Sequence, residues 1–170
     1  MTLTPVIGFA GYSDSGKTTL IAKLVHCFQL QGLRTGVIKH DGHGHYKEVA
    51  GTDSSKYKEA GAGVTVVLSP DGYTSFVRKP LTLERMITEL QMHELDIVLV
   101  EGFKQGMHDQ IALYRSSEQS GILSVLPKPP IAVVAPSQFH DSVIGSIPFF
   151  EPDDVDLIAE FIARHVREKG

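Results

Sequence analysis

The chain has 170 residues and a net charge of -4, from 16 basic and 20 acidic side chains. This balance argues against a protein that holds nucleic acid by charge, since such domains are usually basic. The single cysteine, Cys27, excludes an intramolecular disulfide, and no apolar run approaches the length of a membrane span. We therefore expect one cytoplasmic domain over residues 1–170 that contacts neither nucleic acid nor membrane.

In the first part of the chain, short apolar runs alternate with helical patterns, which is typical of an α/β fold. The predicted elements are a buried strand, an amphipathic helix, a second strand, a polar loop and a short helix, at residues 6–10, 17–30, 35–39, 41–52 and 53–60. We expect Asp53 or Ser54 to cap the short helix and Gly61 to end it.

The remainder of the chain continues the alternation. A Ser-Pro-Asp-Gly turn predicts a hairpin between strands 64–68 and 73–78, and Thr82 precedes a helical pattern. Three further apolar strands and a C-terminal amphipathic helix follow, at residues 97–100, 111–114, 131–135 and 155–166. The pattern predicts a three-layer fold with a mostly parallel, mixed central sheet flanked by helices.

Residues 11–19, GYSDSGKTT, match the Walker A pattern G-x-x-x-x-G-K-[ST] between the first strand and the first helix. Glycines let the backbone N–H groups of such a loop turn toward phosphate oxygens. We expect the Lys17 ammonium to reach the β and γ phosphates and the Thr18 hydroxyl to ligate Mg²⁺. The sequence therefore predicts a P-loop nucleotide site.

Residues 96–104, DIVLVEGFK, form an apolar strand that ends in Glu101, which is the Walker B arrangement. A carboxylate at that position is expected near Mg²⁺ and the γ-phosphate. The alternative is a buried strand that happens to finish in a surface glutamate.

Residues 38–57 leave the second strand at the sheet edge where α/β proteins bind ligands. Lys39 and His40 are placed to meet an anion, and Asp53 is a candidate for Mg²⁺ or for the attacking water. Asp53 could equally be only a helix cap. The loop could also bind a transition metal through imidazole and carboxylate groups, namely His40, Asp41, His43 and His45.

The segments GYSDSGKTTL, GVIKH, GTDSSKYKEAGA and IVLVEGFK, in this order and spacing, resemble the molybdopterin-guanine dinucleotide biosynthesis protein B (MobB) family. The resemblance implies a homodimeric P-loop protein that binds GTP and Mg²⁺ and has weak GTPase activity. It also implies an accessory role in molybdenum cofactor biosynthesis. The partner would be the guanylyltransferase that joins GMP to molybdopterin.

The motifs and the resemblance together give the candidate site. Lys17, Glu101 and Asp53 are the predicted catalytic residues, and Thr18, Glu101 and Asp53 the predicted metal ligands. The predicted nucleotide-binding residues are Gly11, Ser13, Asp14, Ser15, Gly16, Lys17, Thr18, Thr19, Lys39 and His40. The chain lacks the N/T-K-x-D motif that usually selects guanine, so the base is implied by the resemblance alone.

Three alternatives stay open on the sequence. The first is a metallochaperone GTPase that uses the histidine loop, and the second is a nucleotide-binding adaptor without turnover. The third is a small-molecule kinase or ligase of the same fold. A kinase would need an arginine-bearing lid, and Arg78, Arg85 and Arg115 are scattered along the chain.

Overall fold

The computed structural model describes residues 4–42, 44, 49–142 and 145–169. Its helices and strands, in chain order, are β1 (Val6–Ala10), α1 (Lys17–Leu30), β2 (Thr35–Lys39), α2 (Asp53–Glu59), β3 (Val64–Ser69), β4 (Gly72–Val77), α3 (Leu83–Leu90), β5 (Ile97–Glu101), β6 (Asp109–Leu113), α4 (Ile122–Val125), β7 (Ala132–Val134), β8 (Phe149–Phe150) and α5 (Val155–Lys169). Two units are distinguished along the chain, Met1–His40 with Met86–Gly170, and Asp41–Arg85. The single domain expected from the sequence stays a prediction.

The first unit is built on a six-stranded sheet with the order β2-β5-β1-β6-β7-β8, and each neighbouring pair is parallel. The predicted α/β class is confirmed. The sheet is wholly parallel where we expected it to be mostly parallel and mixed, and the predicted hairpin of β3 and β4 forms a separate two-stranded sheet. Because β5, β1 and β6 are parallel neighbours, the loops that follow these three strands emerge side by side at the same edge of the sheet.

Both faces of the sheet are covered, which explains why its strands are nearly continuous apolar runs. On one face, Phe9 and Leu99 pack with Leu24 and Phe28 of α1 and with Ile158 of α5. On the other face, the alternate residues Ala10, Ala112 and Val133 pack against Ile122 of α4. This packing fixes the amino end of α1 beside the carboxyl end of β1.

The second unit contains α2 and the hairpin of β3 and β4. The sequence placed the cap of α2 at Asp53 or Ser54, and this was wrong by one residue. Thr52 is the cap, because its hydroxyl accepts a hydrogen bond from the backbone N–H of Ser55 at 3.2 Å. Asp53 instead occupies the first turn, where its negative charge favours the helix dipole.

Two short elements escaped the sequence analysis. The helix α4 has only four residues and β8 only two, so neither is long enough to show a periodic pattern. Within the residues described, no helix has both the length and the apolar character needed to cross a membrane.

Candidate functional site

The loop between β1 and α1 leads into a helix amino terminus that has neither a capping side chain nor an acidic residue in its first turn. Gly16, the residue before α1, has φ 94°, in the left-handed region that favours glycine. It has no side chain to cap the helix, and the first turn carries Lys17, Thr18 and Thr19 but no acidic residue. Unpaired N–H groups at such a terminus attract anions. The local geometry therefore suits a phosphate group.

The Lys17 ammonium folds back along this loop. Its Nζ donates to the carbonyl oxygen of Tyr12 at 2.7 Å and lies 3.4 Å from Ser15 Oγ. Partial burial lowers the pKa of Lys17; Lys104 and Lys39 add to this effect, whereas Glu101 opposes it. A cation held among other cations is stabilised by a nearby polyanion, so this environment favours phosphate binding.

The two nucleotide motifs meet directly. Thr18 Oγ1 donates to Glu101 Oε1 at 2.8 Å, although the residues are 83 positions apart. The same carboxylate oxygen lies 3.4 Å from Lys39 Nζ, and the Glu101 side chain is only 12% exposed. A hydroxyl and a carboxylate in contact are oxygen ligands of the kind that Mg²⁺ prefers, so these residues fit a magnesium site.

The backbone after Glu101 is held in an unusual conformation. Gly102 has φ 93° and Phe103 has φ 51°, which a bulky residue rarely adopts. The Phe103 ring stacks on His40 with 4.4 Å between ring centroids. A Cβ on Gly102 would lie 2.9 Å from the Cβ of His40, so the glycine is needed for this approach. His40 is thereby positioned at the same sheet edge as Lys39.

Arg115 is a site residue that the sequence analysis dismissed as scattered. Its guanidinium packs on the P-loop, since a Cβ built on Gly16 would lie 2.6 Å from Arg115 Nη2. Gln119 ties the two segments together: its Oε1 accepts from the Arg115 backbone N–H at 2.9 Å, and its Nε2 donates to the Ser13 carbonyl at 3.0 Å. The sequence signal available was the position of Arg115 just beyond an apolar strand.

Lys104 is a second residue that was missed, although it ends the VEGFK segment. Its Nζ lies 4.2 Å from the centre of the Tyr12 ring, a cation–π contact on the P-loop. With Lys17, Lys39 and Arg115, it makes the sheet edge around the P-loop strongly cationic.

The remaining predicted site residues, Asp53 and the loop residues His43 and His45, are not among the described residues of the first unit. Asp53 lies in the second unit and forms an ion pair with Lys56 at 3.0 Å. His43 and His45 lie outside the described residues. Among the residues that are described, no group of three or more His, Cys, Asp or Glu side chains could hold a metal ion.

Comparisons with known proteins agree on one family. Residues 6–136 match the family model described as molybdopterin guanine dinucleotide synthesis protein B. The chain is 31% identical over 152 residues to a probable molybdopterin-guanine dinucleotide biosynthesis adapter protein of Bacillus subtilis, covering 88% of this chain and 87% of the relative. The crystal structure of Bacillus subtilis MobB superposes with a TM-score of 0.78 at 30% identity, covering 92% of this chain and 96% of that one.

A more distant structure supports the fold alone. HypB from Helicobacter pylori, solved in complex with nickel, has a TM-score of 0.54 and 13% identity, and the match covers 98% of this chain and 89% of that one. The arrangement of the sheet and its flanking helices is therefore shared with this more distant protein.

Proposed function

The chain belongs to the molybdopterin guanine dinucleotide synthesis protein B family, and we propose that it is a GTP-binding adapter in molybdenum cofactor biosynthesis. In this proposal it acts in the cytoplasm, binds GTP with Mg²⁺ and hydrolyses it slowly. It assists a guanylyltransferase partner that attaches GMP to molybdopterin. The adapter role rests on family membership, and the nucleotide chemistry rests on the site described above.

The observation that carries the proposal is the hydrogen bond of 2.8 Å between Thr18 and Glu101. It joins the P-loop to the acidic end of β5, so one Mg²⁺ could be held by both residues while Lys17 and the α1 amino terminus hold phosphates. Bound Mg²⁺ would neutralise phosphate charge there. Thr19 and Ser15 flank the same loop, Ser13 and Asp14 form its outer part, and Gly11 begins it.

Calorimetric titration with GTP and with ATP, each with and without Mg²⁺, tests this proposal. We expect GTP to bind and Mg²⁺ to strengthen its binding. The titration is then repeated with the molybdopterin-loaded guanylyltransferase present, where we expect a ternary complex. Absence of any nucleotide binding would overturn the proposed nucleotide chemistry.

Replacing Glu101 with Gln should separate binding from hydrolysis. The amide keeps an oxygen that accepts the Thr18 hydrogen bond but loses the charge that would act on Mg²⁺ or water. We expect single-turnover GTP hydrolysis to fall about ten-fold or more, with the dissociation constant changed by about three-fold at most. The measurement is a rapid-quench single turnover with saturating protein.

Asp96→Asn is the matched control for Glu101→Gln. Asp96 lies just before the other end of β5, where it accepts a hydrogen bond from the Arg34 backbone N–H at 2.6 Å. The Asp96→Asn variant should hydrolyse GTP at the wild-type rate. An unchanged rate in Glu101→Gln would limit Glu101 to a structural role.

Replacing Lys39 with Ala should weaken the binding of an anionic ligand, either GTP or the phosphate of the pterin. A charge-assisted contact contributes about 1.5–3 kcal/mol, so we expect about ten-fold weaker binding or more. Arg34→Ala is the control, because Arg34 lies at the opposite end of β2 and pairs with Glu94 at 3.1 Å. Both variants are titrated with GTP and with the pterin phosphate.

The metallochaperone alternative, in which the histidine loop after β2 carries a metal ion, predicts a different result for variants of this region. If it held, His43→Ala and His45→Ala would reduce zinc or nickel affinity, and Lys39→Ala would leave the binding of both anions unaltered. We expect weaker anion binding in Lys39→Ala, and not a loss of metal affinity in the histidine variants.

The proposed homodimer has support in the second unit. Apolar side chains of the β3–β4 hairpin are more than half exposed, including Val64, Val66, Leu68 and Tyr73. Exposed apolar strands of this kind are typical of interfaces. We expect sedimentation to give a dimer, and Leu68→Glu to shift it to monomer at micromolar concentration. Leu157→Glu, on α5, is the control, and a monomeric wild-type protein would contradict the proposal.

A further inference from the structure

A cavity lies beside the P-loop, on the side of the sheet edge opposite Glu101. It is lined by Gly16, by the polar side chains of Ser15, Thr19, Lys23, Arg115 and Asp153, and by four apolar residues. The polar side chains come from the P-loop, from α1 and from the segments that follow β6 and β8. The cavity therefore opens at the carboxyl end of the parallel strands, where ligands of α/β proteins bind.

The position of the cavity relative to the P-loop limits what it can hold. On the β5 side, the loop is closed by Glu101, whose carboxylate contacts both Thr18 and Lys39. On the β6 side, Thr19 and Gly16 of the phosphate-binding segment line open space. The cavity is small, about 50 Å³, and open to solvent, so a nucleoside whose phosphates lie at the α1 amino terminus would rest across its mouth and not inside it.

The mouth of the cavity carries an ion pair. Lys23 Nζ lies 3.3 Å from Asp153 Oδ1, and the two side chains are 47% and 96% exposed. An exposed ion pair contributes little to stability, so both groups can exchange this contact for a ligand at small cost. Together they offer one strong donor next to one acceptor-only group.

We propose that the base of the nucleotide lies at the mouth of this cavity and that the Lys23–Asp153 pair selects guanine. Guanine presents O6, an acceptor, next to N1–H and the 2-amino group, which are both donors. The Lys23 ammonium matches O6, and the Asp153 carboxylate accepts from the two donors. Adenine presents an amino donor and the N1 acceptor instead, so it would oppose both groups.

Arg115 completes the cavity wall beside the P-loop. Its planar guanidinium packs on Gly16 and its backbone is tied to the loop by Gln119. A planar guanidinium stacks on aromatic rings. Arg115 would therefore hold the purine ring so that its edge faces Lys23 and Asp153. The inference rests on the proposed function, and it supplies the base selection that the missing N/T-K-x-D motif would otherwise perform.

The test is a set of titrations of the whole protein with Mg²⁺ and four triphosphates. For the wild type we expect GTP to bind best, ITP about ten-fold more weakly for want of the 2-amino group, and ATP more weakly still. Asp153→Asn should weaken GTP about ten-fold or more and leave ATP within about two-fold. The same variant should gain affinity for XTP, because its amide can donate to the second carbonyl of xanthine.

Asp156→Asn is the matched control. It removes the same charge three residues further on, from a carboxylate that faces Cys27 at 3.7 Å and does not line the cavity. It should bind all four triphosphates as the wild type does. An equal loss of GTP affinity in both variants would overturn the proposal, as would an unchanged GTP preference in Asp153→Asn.

The wild-type titrations distinguish this inference from the proposed function. Equal affinity for GTP, ITP and ATP would overturn base selection by this pair and leave nucleotide binding standing. No binding of any triphosphate would overturn the proposed nucleotide chemistry, and the base selection with it.

Discussion

Replacing Lys17 with Ala should reduce GTP affinity about 100-fold or more, while the protein stays folded. The ammonium lies inside the P-loop, 2.7 Å from the carbonyl oxygen of Tyr12, where a bound polyphosphate would take over that contact. Loss of one backbone contact at a half-buried side chain should change the free energy of unfolding by about 1 kcal/mol at most. Calorimetric titration and urea denaturation measure the two quantities on the same sample.

Lys17→Met separates charge from packing in this experiment. Methionine keeps an apolar chain of similar length against the loop but removes the ammonium. We expect it to bind GTP as weakly as Lys17→Ala does. If both variants bound GTP within a few-fold of the wild type, Lys17 would not contact phosphate and the P-loop prediction would be wrong.

The local chemistry around β1 and α1 was predictable from sequence. A buried apolar run, a glycine-rich loop and an amphipathic pattern define β1, the P-loop and α1, with both element boundaries correct. The sequence placed Thr18 and Glu101 each near Mg²⁺, and the structure brings the two side chains into contact, in keeping with the rule that strand ends of a parallel sheet share one edge. Local signals were therefore sufficient to locate β1, α1 and the loop between them, and the roles of the residues there stay a prediction.

Local sequence signals could not predict the positions of Arg115 and Lys104. Arg115 reaches Gly16 because β6 is the neighbour of β1, and the sequence does not specify the order of strands in a parallel sheet. Lys104 contacts Tyr12 through the left-handed backbone at Gly102 and Phe103, which a strand pattern does not reveal. Long-range order and irregular backbone thus account for the residues that were missed.

Cys27 shows how a helical face predicts burial only approximately. Its place next to Phe28 in the α1 pattern would favour a buried thiol, but the structure leaves it half-buried. Desolvation, together with the Asp156 carboxylate, raises the pKa of the thiol. Its low reactivity, if measured, would therefore come partly from a charge on α5 that no pattern within α1 could indicate.

The opposite edge of the sheet contains a charge cluster that should matter for stability. Asp109, the first residue of β6, accepts hydrogen bonds from Lys128 and His165, both at 2.7 Å, and from Lys169. Its side chain is only 13% exposed, so these contacts hold the end of α5 and the segment around Lys128 against the sheet. Burial by itself would raise the pKa of Asp109, but the hydrogen bonds outweigh it and hold the pKa well below its ordinary value.

Asp109→Asn should lower the free energy of unfolding by about 2–3 kcal/mol at pH 7, because two lysine ammonium groups and the His165 imidazole lose their shared carboxylate in a largely buried site. A depressed pKa contributes stability above the unfolded value of about 3.9, and that stability is lost as pH falls further toward the folded value. The difference between wild type and variant should therefore be constant from pH 7 to about 5 and shrink below about 4. Urea denaturation across this range measures it, with Asp53→Asn, which removes an exposed pair, as a control expected within about 0.5 kcal/mol. A difference that persisted unchanged in acid would show that Asp109 acts through packing, not through its charge.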